Sequence, residues 1–428
     1  MRDTTLEREQ IKQKSPWTWI PSLYFMEGLP YGLVMYVTTI LYKNMGLSNT
    51  ELAFYTSWLY LPWVIKPIWS PFIDILKTKR WWILIMQFVI GVALAGIAFT
   101  LNTEFWFQAS LAFFWLIAFS SATHDIAADG FYMIGASKDD QAYFIGIRSL
   151  FYRISMVFTQ GGVVVLGGYL EKEFNSVPMA WSVTLGVMAI LMAVSWLYHS
   201  VFIPKVETTS EEEKSAGNII NEFFATFKTF FEKEGVWLSI AFLLLYRFGE
   251  AQLVKMAQPF LLDTAEVGGL GLSTTEVGTV YGTVGPIGLI LGGILGGMAV
   301  SKYGLKKMIW IMLVAINLPH MTYIYLSWVL PENLYLIGGS IIFETFGYGF
   351  GFTAYMMYMI HMSEGKYKTA HFAIATAFMA LSMMIPGLFS GKLQEVLGYD
   401  NFFVWVLLSG IPSIWIVKKI HEKLPEKE

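Results

Sequence analysis

Residues 46–52 read GLSNTEL and residues 271–277 read GLSTTEV, so a seven-residue stretch occurs twice in the chain with small changes. Each copy follows one long apolar segment and precedes another. A shorter pair, AYF at 142–144 and AHF at 370–372, is separated by nearly the same number of residues. Two matches at almost one spacing predict that the chain contains two parallel copies of one structural unit.

The composition predicts that lipid surrounds most of the protein. Of the 428 residues, 55% are hydrophobic and 14% are charged, whereas soluble domains average about 25% charged residues. The net charge of −3 gives no basic surface for nucleic acid, and the chain has no cysteine for thiolate catalysis, disulfides or metal ligation. We therefore expect no nucleic-acid partner, no cofactor and no metal.

Twelve segments are long and apolar enough to be membrane-spanning helices, which need about 20 mostly apolar residues. They lie at residues 17–42, 51–75, 81–101, 105–135, 141–169, 179–203, 236–262, 276–301, 307–329, 332–361, 368–396 and 399–420. This pattern predicts an all-α polytopic membrane protein, with two bundles of six transmembrane helices. Glycine clusters lie at 161–168 and 292–297. Neither forms a phosphate-binding loop, which argues against transport driven by ATP.

One long polar stretch, residues 204–234, separates the first six segments from the last six. Most of the 29 lysine and arginine residues lie in this stretch, in the two tails and in the loops on the same side. Cytoplasmic loops carry an excess of these residues, so we expect both termini to be cytoplasmic. The predicted divisions are an N-terminal tail at 1–16, bundles at 17–203 and 236–420, a cytoplasmic linker at 204–235 and a C-terminal tail at 421–428.

Several motifs in both halves point to a known family. They are YFMEGLP at 24–30, LPWVIKPIWSP at 61–71 with Asp74, SATHDI at 121–126 with Asp129, RFGEA at 247–251 with PFL at 259–261, and TAHFA at 369–373. These motifs resemble the AmpG-type muropeptide permeases, a branch of the major facilitator superfamily that also contains acetyl-CoA transporter-like members. The resemblance implies the major facilitator fold and proton-driven import of a muropeptide across the inner membrane. We expect a monomer whose partners are the solute, protons and the lipid bilayer.

Two residues depart from that family's pattern. The family commonly has a small residue in place of Glu27 and glutamine in place of His124. Both departures put an ionisable group into the expected translocation path. A different cargo, such as another amino-sugar or glycan-derived solute, is therefore also compatible with the resemblance.

Charged residues inside the segments are the main candidates for function, because a charge at the bilayer centre costs about 2.5–3.5 kcal/mol and usually faces the protein interior. The proton-coupling candidates are Glu27, Asp125, Glu250 and Glu344. The substrate-binding candidates are His124, Arg153, Arg247, Tyr31, Tyr152 and Gln252. Lys66, Asp74, Asp129 and Arg148 are predicted gate or latch residues, with Asp129 paired to Arg148 or to the region of Asp74.

Other interpretations stay open at this stage. One alternative is a static ion pair of Glu27 with Lys66 or Arg153, and another is a pair of Arg247 with Glu250, three residues further along the same helix. A polytopic membrane enzyme using His124 and Asp125 is a weaker alternative, because no zinc motif of helical spacing occurs. A sensor that uses a transporter fold without moving solute is a third.

Overall fold

The computed structural model describes residues 15–206, 216–365 and 367–425, without the side chains of 74–75 and 216–222. Within these ranges the secondary structure is helical and contains no strand. Residues 1–14 and 426–428 of the predicted tails, and 207–215 of the predicted linker, lie outside the described residues.

Six long helical passages form each half of the protein. The first half contains α1 (20–44), α2 (49–76), α3 (Lys79–Thr100), α4 (Trp106–Gly135), α5 (Lys138–Phe174) and α6 (Val177–Phe202). The second half contains α7 (Val236–Leu262), α8 (Thr274–Tyr303), α9 (Leu305–Val329), α10 (Leu334–Met362), α11 (368–397) and α12 (399–423). The predicted twelve-helix architecture is confirmed.

Eight helical segments of the described chain are long and apolar enough to cross a membrane. They are α3 to α9 and the continuous run Lys368–Lys423, which contains α11 and α12. Gly398 divides that run, because its φ of 74° is not helical. In α1, a π-helical turn at Leu33–Val37 interrupts the α-helix, so α1 is not one regular helix.

The repeated stretches have the same structure in both halves. Ser48 and Ser273 are N-caps, and each accepts a hydrogen bond from the backbone of a glutamate three residues later, Glu51 or Glu276. The carboxylate of each glutamate in turn accepts a hydrogen bond from the backbone N–H of the N-cap serine. The two bonds form a capping box at the start of α2 or α8. A glycine in the left-handed region precedes each box, Gly46 or Gly271. The repetition seen in the sequence is therefore a repeated turn and helix start.

Polar contacts join the two halves on one side of the bundle. We call the side of the bundle that contains Ile20 and Lys423 the near side. The opposite side, where α1 and α7 end, is the far side. There Lys43 forms an ion pair with Asp263 at 2.6 Å. Asn49 donates to Gln394 at 2.7 Å, and the Tyr399 hydroxyl donates to Asp263 at 2.7 Å. These bonds connect α1 and α2 to α7, α11 and α12, and we call them the far-side seal.

Close backbone contact between α5 and α8 adds to this junction. The π-helical turns Phe158–Val163 and Val280–Val284 pack against each other. A side-chain carbon at Gly282 would overlap the carbonyl of Gln160. Only glycine therefore permits this approach, as in other membrane helix pairs with small residues at the interface.

A surface helix, Ala216–Phe231, lies between the halves in sequence and is called the linker helix. It contacts both α2 and α11. Thr229 is 3.1 Å from His371, and the ring of Phe230 stacks on Phe378. After its end, Lys233 donates to the carbonyls of Met362 and Glu364 at 2.6 and 2.8 Å. The described end of this polar stretch thus packs against the near side.

Candidate functional site

A cavity of about 610 Å³ lies between the two halves. Its lining comes from α1, α2, α4 and α5 of the first half and from α7, α8, α10 and α11 of the second. The cavity reaches toward the near side, where Ser149 and Thr376 contribute to its wall. The far-side seal lies beyond its opposite end.

A carboxyl pair lies in the first half of the cavity. Glu27 of α1 is in hydrogen-bonding contact with Asp125 of α4, and Asp125 also forms an ion pair with Lys66 of α2. Two carboxyl groups can hydrogen-bond to each other only when one of them carries a proton, because carboxylates have no donor. Glu27 is 7% exposed, and its second oxygen has no hydrogen-bond partner. All three side chains line the cavity.

Asp129 and Arg148 form the pair that the sequence predicted. The guanidinium of Arg148 donates to Asp129 at 2.8 Å and to the hydroxyl of Tyr24 at 2.7 Å. Tyr24 donates in turn to Asp129 at 2.9 Å. These contacts join α1, α4 and α5 on the near side of the Glu27–Asp125 pair. Lys66 was expected at this latch, but its partner is Asp125.

Arg247 is a buried cation of the second half. It is 5% exposed, it lines the cavity, and it donates to the hydroxyl of Tyr348 at 2.7 Å. Its guanidinium carbon lies 4.7 Å from the ring centre of Phe352 and 5.6 Å from that of Tyr355. The pairing of Arg247 with Glu250 does not occur. Arg247 Nε has no hydrogen-bond partner, so this cation faces the cavity without an acidic neighbour in contact.

Glu250 belongs instead to a buried cluster in the second half. Its carboxylate is 3.0 Å from Nε2 of His320, and it is in hydrogen-bonding contact with Glu344. One ligand atom from each of the three side chains lies within 4.8 Å of the others. Imidazole and carboxylate groups at this separation are a donor set for a metal ion, although the sequence predicted no metal site. Glu250 and Glu344 also line the cavity.

Each half therefore places one carboxyl pair on the corresponding two helices. Glu27 and Glu250 lie on the first helix of their halves, and Asp125 and Glu344 lie on the fourth. Each pair is in contact across its half. The neighbours differ, because the first pair contacts Lys66 and the second contacts His320.

Two predicted substrate residues do not reach the cavity. His124 is fully buried and bonds to Gln87, which continues to His199 and then to Ser22. This chain of hydrogen bonds connects α1, α3, α4 and α6. The His124 ring points away from Asp125, its neighbour on α4. Gln252 bonds to Trp405 and Ser409 of α12. The side chain of Asp74 lies outside the described residues.

Tyr31, Tyr152 and Arg153, three of the predicted substrate-binding residues, line the cavity. Among the described residues, Arg153 has no hydrogen-bond or ion-pair partner, and it is exposed. Tyr31 packs edge-on against Trp63, with ring centres 5.2 Å apart. Further aromatic side chains in the wall are Tyr36, Tyr60 and Tyr281.

The sequence profile described as Major Facilitator Superfamily matches residues 22–387 and so spans both halves. The chain belongs to the Major Facilitator Superfamily. Membership in this superfamily accounts for the paired six-helix halves with a cavity between them. The protein is a membrane transporter rather than an enzyme.

Curated relatives within the superfamily carry AmpG names. The chain is 24% identical over 416 residues to "Putative transporter AmpG 4" of Rickettsia felis, which covers 94% of this chain and 95% of the relative. It is 24% identical over 400 residues to the "Anhydromuropeptide permease" of Escherichia coli strain K12, covering 92% of this chain and 77% of that protein. The resemblance to AmpG-type permeases predicted from the motifs is confirmed.

Solved superfamily structures share the fold. The chain is similar to the crystal structure of the nucleoside transporter NupG with a TM-score of 0.68 and 14% identity, covering 95% of this chain and 98% of that one. A D-xylose-proton symporter gives a TM-score of 0.68 at 11% identity, covering 96% and 98%. At these identities the likeness concerns the fold alone.

Sequence reasoning missed His320 completely. It lies in the 3-10 turn Leu318–His320 of α9, which Pro319 interrupts, so no helical periodicity placed it beside Glu250. A usable signal was its rarity, since the chain has six histidines. A histidine inside an apolar segment is a candidate functional residue, because ionisable residues are rare in such segments.

Proposed function

We propose that this transporter imports an anionic, amino-sugar-containing solute, such as a muropeptide fragment, across the inner membrane together with protons. The observation that carries the proposal is Arg247, a buried cation on the cavity wall with no acidic partner. An unpaired buried charge is unfavourable, and a guanidinium binds carboxylate or phosphate through two parallel bonds. A solute anion would supply the missing partner.

Aromatic rings around the cavity support a sugar-containing solute. The apolar faces of sugar rings pack on aromatic side chains, while polar groups at the edges fix orientation. Tyr31 and Trp63 from the first half, and Tyr281 and Tyr348 from the second, line the cavity. Arg153 offers a second cation without a partner. Muropeptides combine sugar rings with carboxylates, and relatives named for such permeases share most of the chain length.

Proton coupling is assigned to Glu27 with Asp125. Their contact holds a proton while Lys66 compensates the charge of the other carboxyl. When the halves rearrange and this contact changes, the proton can leave from a group that lines the cavity. Glu250 and Glu344 remain predictions as proton carriers.

The orientation follows from the distribution of positive charges. With the near side in the cytoplasm, both termini are cytoplasmic, and the conformation described here is sealed toward the periplasm. The bundles at 17–203 and 236–420, joined by the linker at 204–235, would then rock around the cavity of a monomer. His124 and Gln252, which lie off the cavity, are not part of the proposed binding surface.

Uptake into proteoliposomes tests the proposal. We expect labelled anhydromuropeptide to accumulate under an inward proton gradient and to stop accumulating when a protonophore is added. Arg247→Gln should lower uptake by about tenfold or more, because a hydrogen bond to a charged group contributes about 1.5–3 kcal/mol. Arg247→Lys should retain part of the activity, since it keeps the charge but loses the planar fork.

Exposed Lys392→Gln on the far side is the matched control and should transport as the wild type does. A neutral oligosaccharide without carboxylates serves as a second substrate. If Arg247→Gln transports anhydromuropeptide at the wild-type rate, the proposed role of Arg247 is wrong. If the wild type accumulates no anionic sugar derivative, the proposed substrate class is wrong.

A further inference from the structure

The cluster of Glu250, His320 and Glu344 lies outside the chemistry assigned above. Its side chains are almost fully buried, with side-chain exposures of 2% for Glu250 and 0% for His320, and with Glu344 4% exposed. The three side chains come from α7, the interrupted α9 and α10. Three groups able to bind a cation thus converge from separate helices onto one point.

The internal repeat shows what this cluster lacks. In the first half, Lys66 supplies a cation to the Glu27–Asp125 pair. Counting from the glycine that opens each repeated stretch, the position of Lys66 corresponds to Leu291. Leu291 is 50% exposed on the outer surface of α8. The Glu250–Glu344 pair therefore has no lysine in the equivalent place, and no lysine or arginine of the described residues forms an ion pair with it.

The donor types narrow the kind of cation that fits. Sodium, potassium and magnesium prefer oxygen ligands, whereas imidazole favours zinc, iron, nickel and related ions. Ligand atoms around zinc lie about 2.0–2.2 Å from it, so the ligand atoms here need to approach one another only slightly. Two carboxylates also balance a double positive charge, which permits such an ion in an apolar surrounding.

We propose that Glu250, His320 and Glu344 bind one divalent transition-metal ion in the second half of the transporter. The ion reaches the cluster from the cavity, because Glu250 and Glu344 both line it. The ion supplies positive charge to the carboxyl pair of the second half, as Lys66 does in the first half.

A bound ion also has a consequence for solute binding, and this step rests on the proposed function. Arg247 lies one helical turn from Glu250, on the same cavity wall. A divalent ion at the cluster raises the positive potential there, so an anion at Arg247 binds more tightly when the metal is present. By linkage, the anion tightens metal binding by the same factor.

The test measures metal on the purified protein without any solute. The protein is stripped with a chelator in detergent, its affinity tag is removed, and it is dialysed against buffered Zn²⁺, with Mn²⁺ and Na⁺ in parallel. Metal content is measured by mass spectrometry, and affinity by calorimetry. We expect one Zn²⁺ per chain in the wild type, and binding weakened about tenfold or more in Glu344→Gln and in His320→Asn.

The matched control is Glu27→Gln, which alters the equivalent carboxyl of the first half and should leave zinc binding unchanged. Glu344→Gln is nearly isosteric, and size-exclusion elution and the helical circular dichroism show whether each variant is folded. The proposal is overturned if the wild type binds no divalent ion, which would leave protons alone to neutralise the cluster. It is also overturned if Glu344→Gln and His320→Asn retain the zinc, since other histidines would then be its ligands.

Because no solute is present, failure of this test leaves the substrate proposal untouched. If the transporter does not accumulate an anionic solute, the proposed metal site is likewise unaffected, because the metal content is measured separately. The linkage between the two sites is then measured by repeating the calorimetry with anhydromuropeptide added. An unchanged zinc affinity would remove the coupling to Arg247 and keep the metal site.

Discussion

At the scale of single residues, the buried charges of this transporter are held by few and specific partners. Asp125 contacts both Lys66 and Glu27, so its charge is shared between an ion pair and a carboxyl contact. Removing one partner from a buried pair leaves the other charge without compensation, which is costly. One buried oxygen of Glu27 has no hydrogen-bond partner. We therefore propose Glu27 as the group in this network that exchanges the coupling proton.

Glu27→Gln tests that role. The amide keeps the size of the side chain and its contact with Asp125 but cannot release a proton. We expect proton-driven accumulation to be lost, while exchange of labelled for unlabelled solute across the membrane continues at a similar rate. Glu266→Gln, which changes an exposed carboxylate on the far side, is the control. Accumulation that still follows the pH gradient in Glu27→Gln would place the coupling proton elsewhere.

At the scale of helices, glycine decides how closely neighbouring helices approach. Gly288, Gly292 and Gly296 of α8 lie against backbone atoms of α10, and Gly282 lies against backbone atoms of α5. These contacts bring the backbones of neighbouring helices close together. Backbone contacts of this kind set the distance between two helices. The lipid-facing surfaces of the helices do not set that distance.

A pair of substitutions within α8 isolates this effect. Gly282→Ala adds a methyl group that overlaps the Gln160 carbonyl, so α5 and α8 must separate, at a cost of about 1–3 kcal/mol. Gly297→Ala adds the same group where nothing lies within 4 Å. We expect a lower thermal melting temperature in detergent for the first variant and an unchanged or higher one for the second. Equal melting temperatures would mean that the helix contact tolerates wider spacing.

At the scale of the whole molecule, the far-side seal decides which face is closed. It links helices of both halves through Lys43, Asp263, Asn49, Gln394 and Tyr399. Alternating access requires these bonds to break together when the far side opens. A weaker seal should therefore shift the population toward the far-open conformation.

Asp263→Asn tests the seal in a chain that has no cysteine of its own. Ser57 is fully buried between α2 and α11, so Ser57→Cys reports opening by reaction with a membrane-impermeant maleimide added on the far side. We expect Asp263→Asn to increase the labelling rate about fivefold, which corresponds to about 1 kcal/mol. The same reporter with Glu266→Gln is the control. Unchanged labelling in Asp263→Asn would show that the seal does not hold this face closed.

The fold could be predicted from the sequence because its signals are local. Apolar segments of sufficient length, a polar stretch between six and six of them, and the two copies of one turn need no knowledge of neighbours. The pair of Asp129 with Arg148 was also predictable, since the ends of α4 and α5 meet across a short loop. Such features depend on chain connectivity alone.

The remaining contacts depend on how each helix is rotated about its axis. His124 and Asp125 are adjacent, yet one faces a buried hydrogen-bond chain and the other the cavity. Arg247 and Glu250 are near neighbours on α7, but aromatic rings of α10 hold one and His320 holds the other. Helical spacing is compatible with a contact between Arg247 and Glu250, but it cannot show whether that contact forms. The deciding partners come from distant parts of the chain.

The two capping boxes point to ancestry by duplication. A glycine turn, a serine cap and a returning glutamate open the second helix of each half, although most of the surrounding residues differ. One half has a lysine beside its carboxyl pair, and the other has a histidine. A repeated scaffold thus encloses two interiors whose charged groups have different partners.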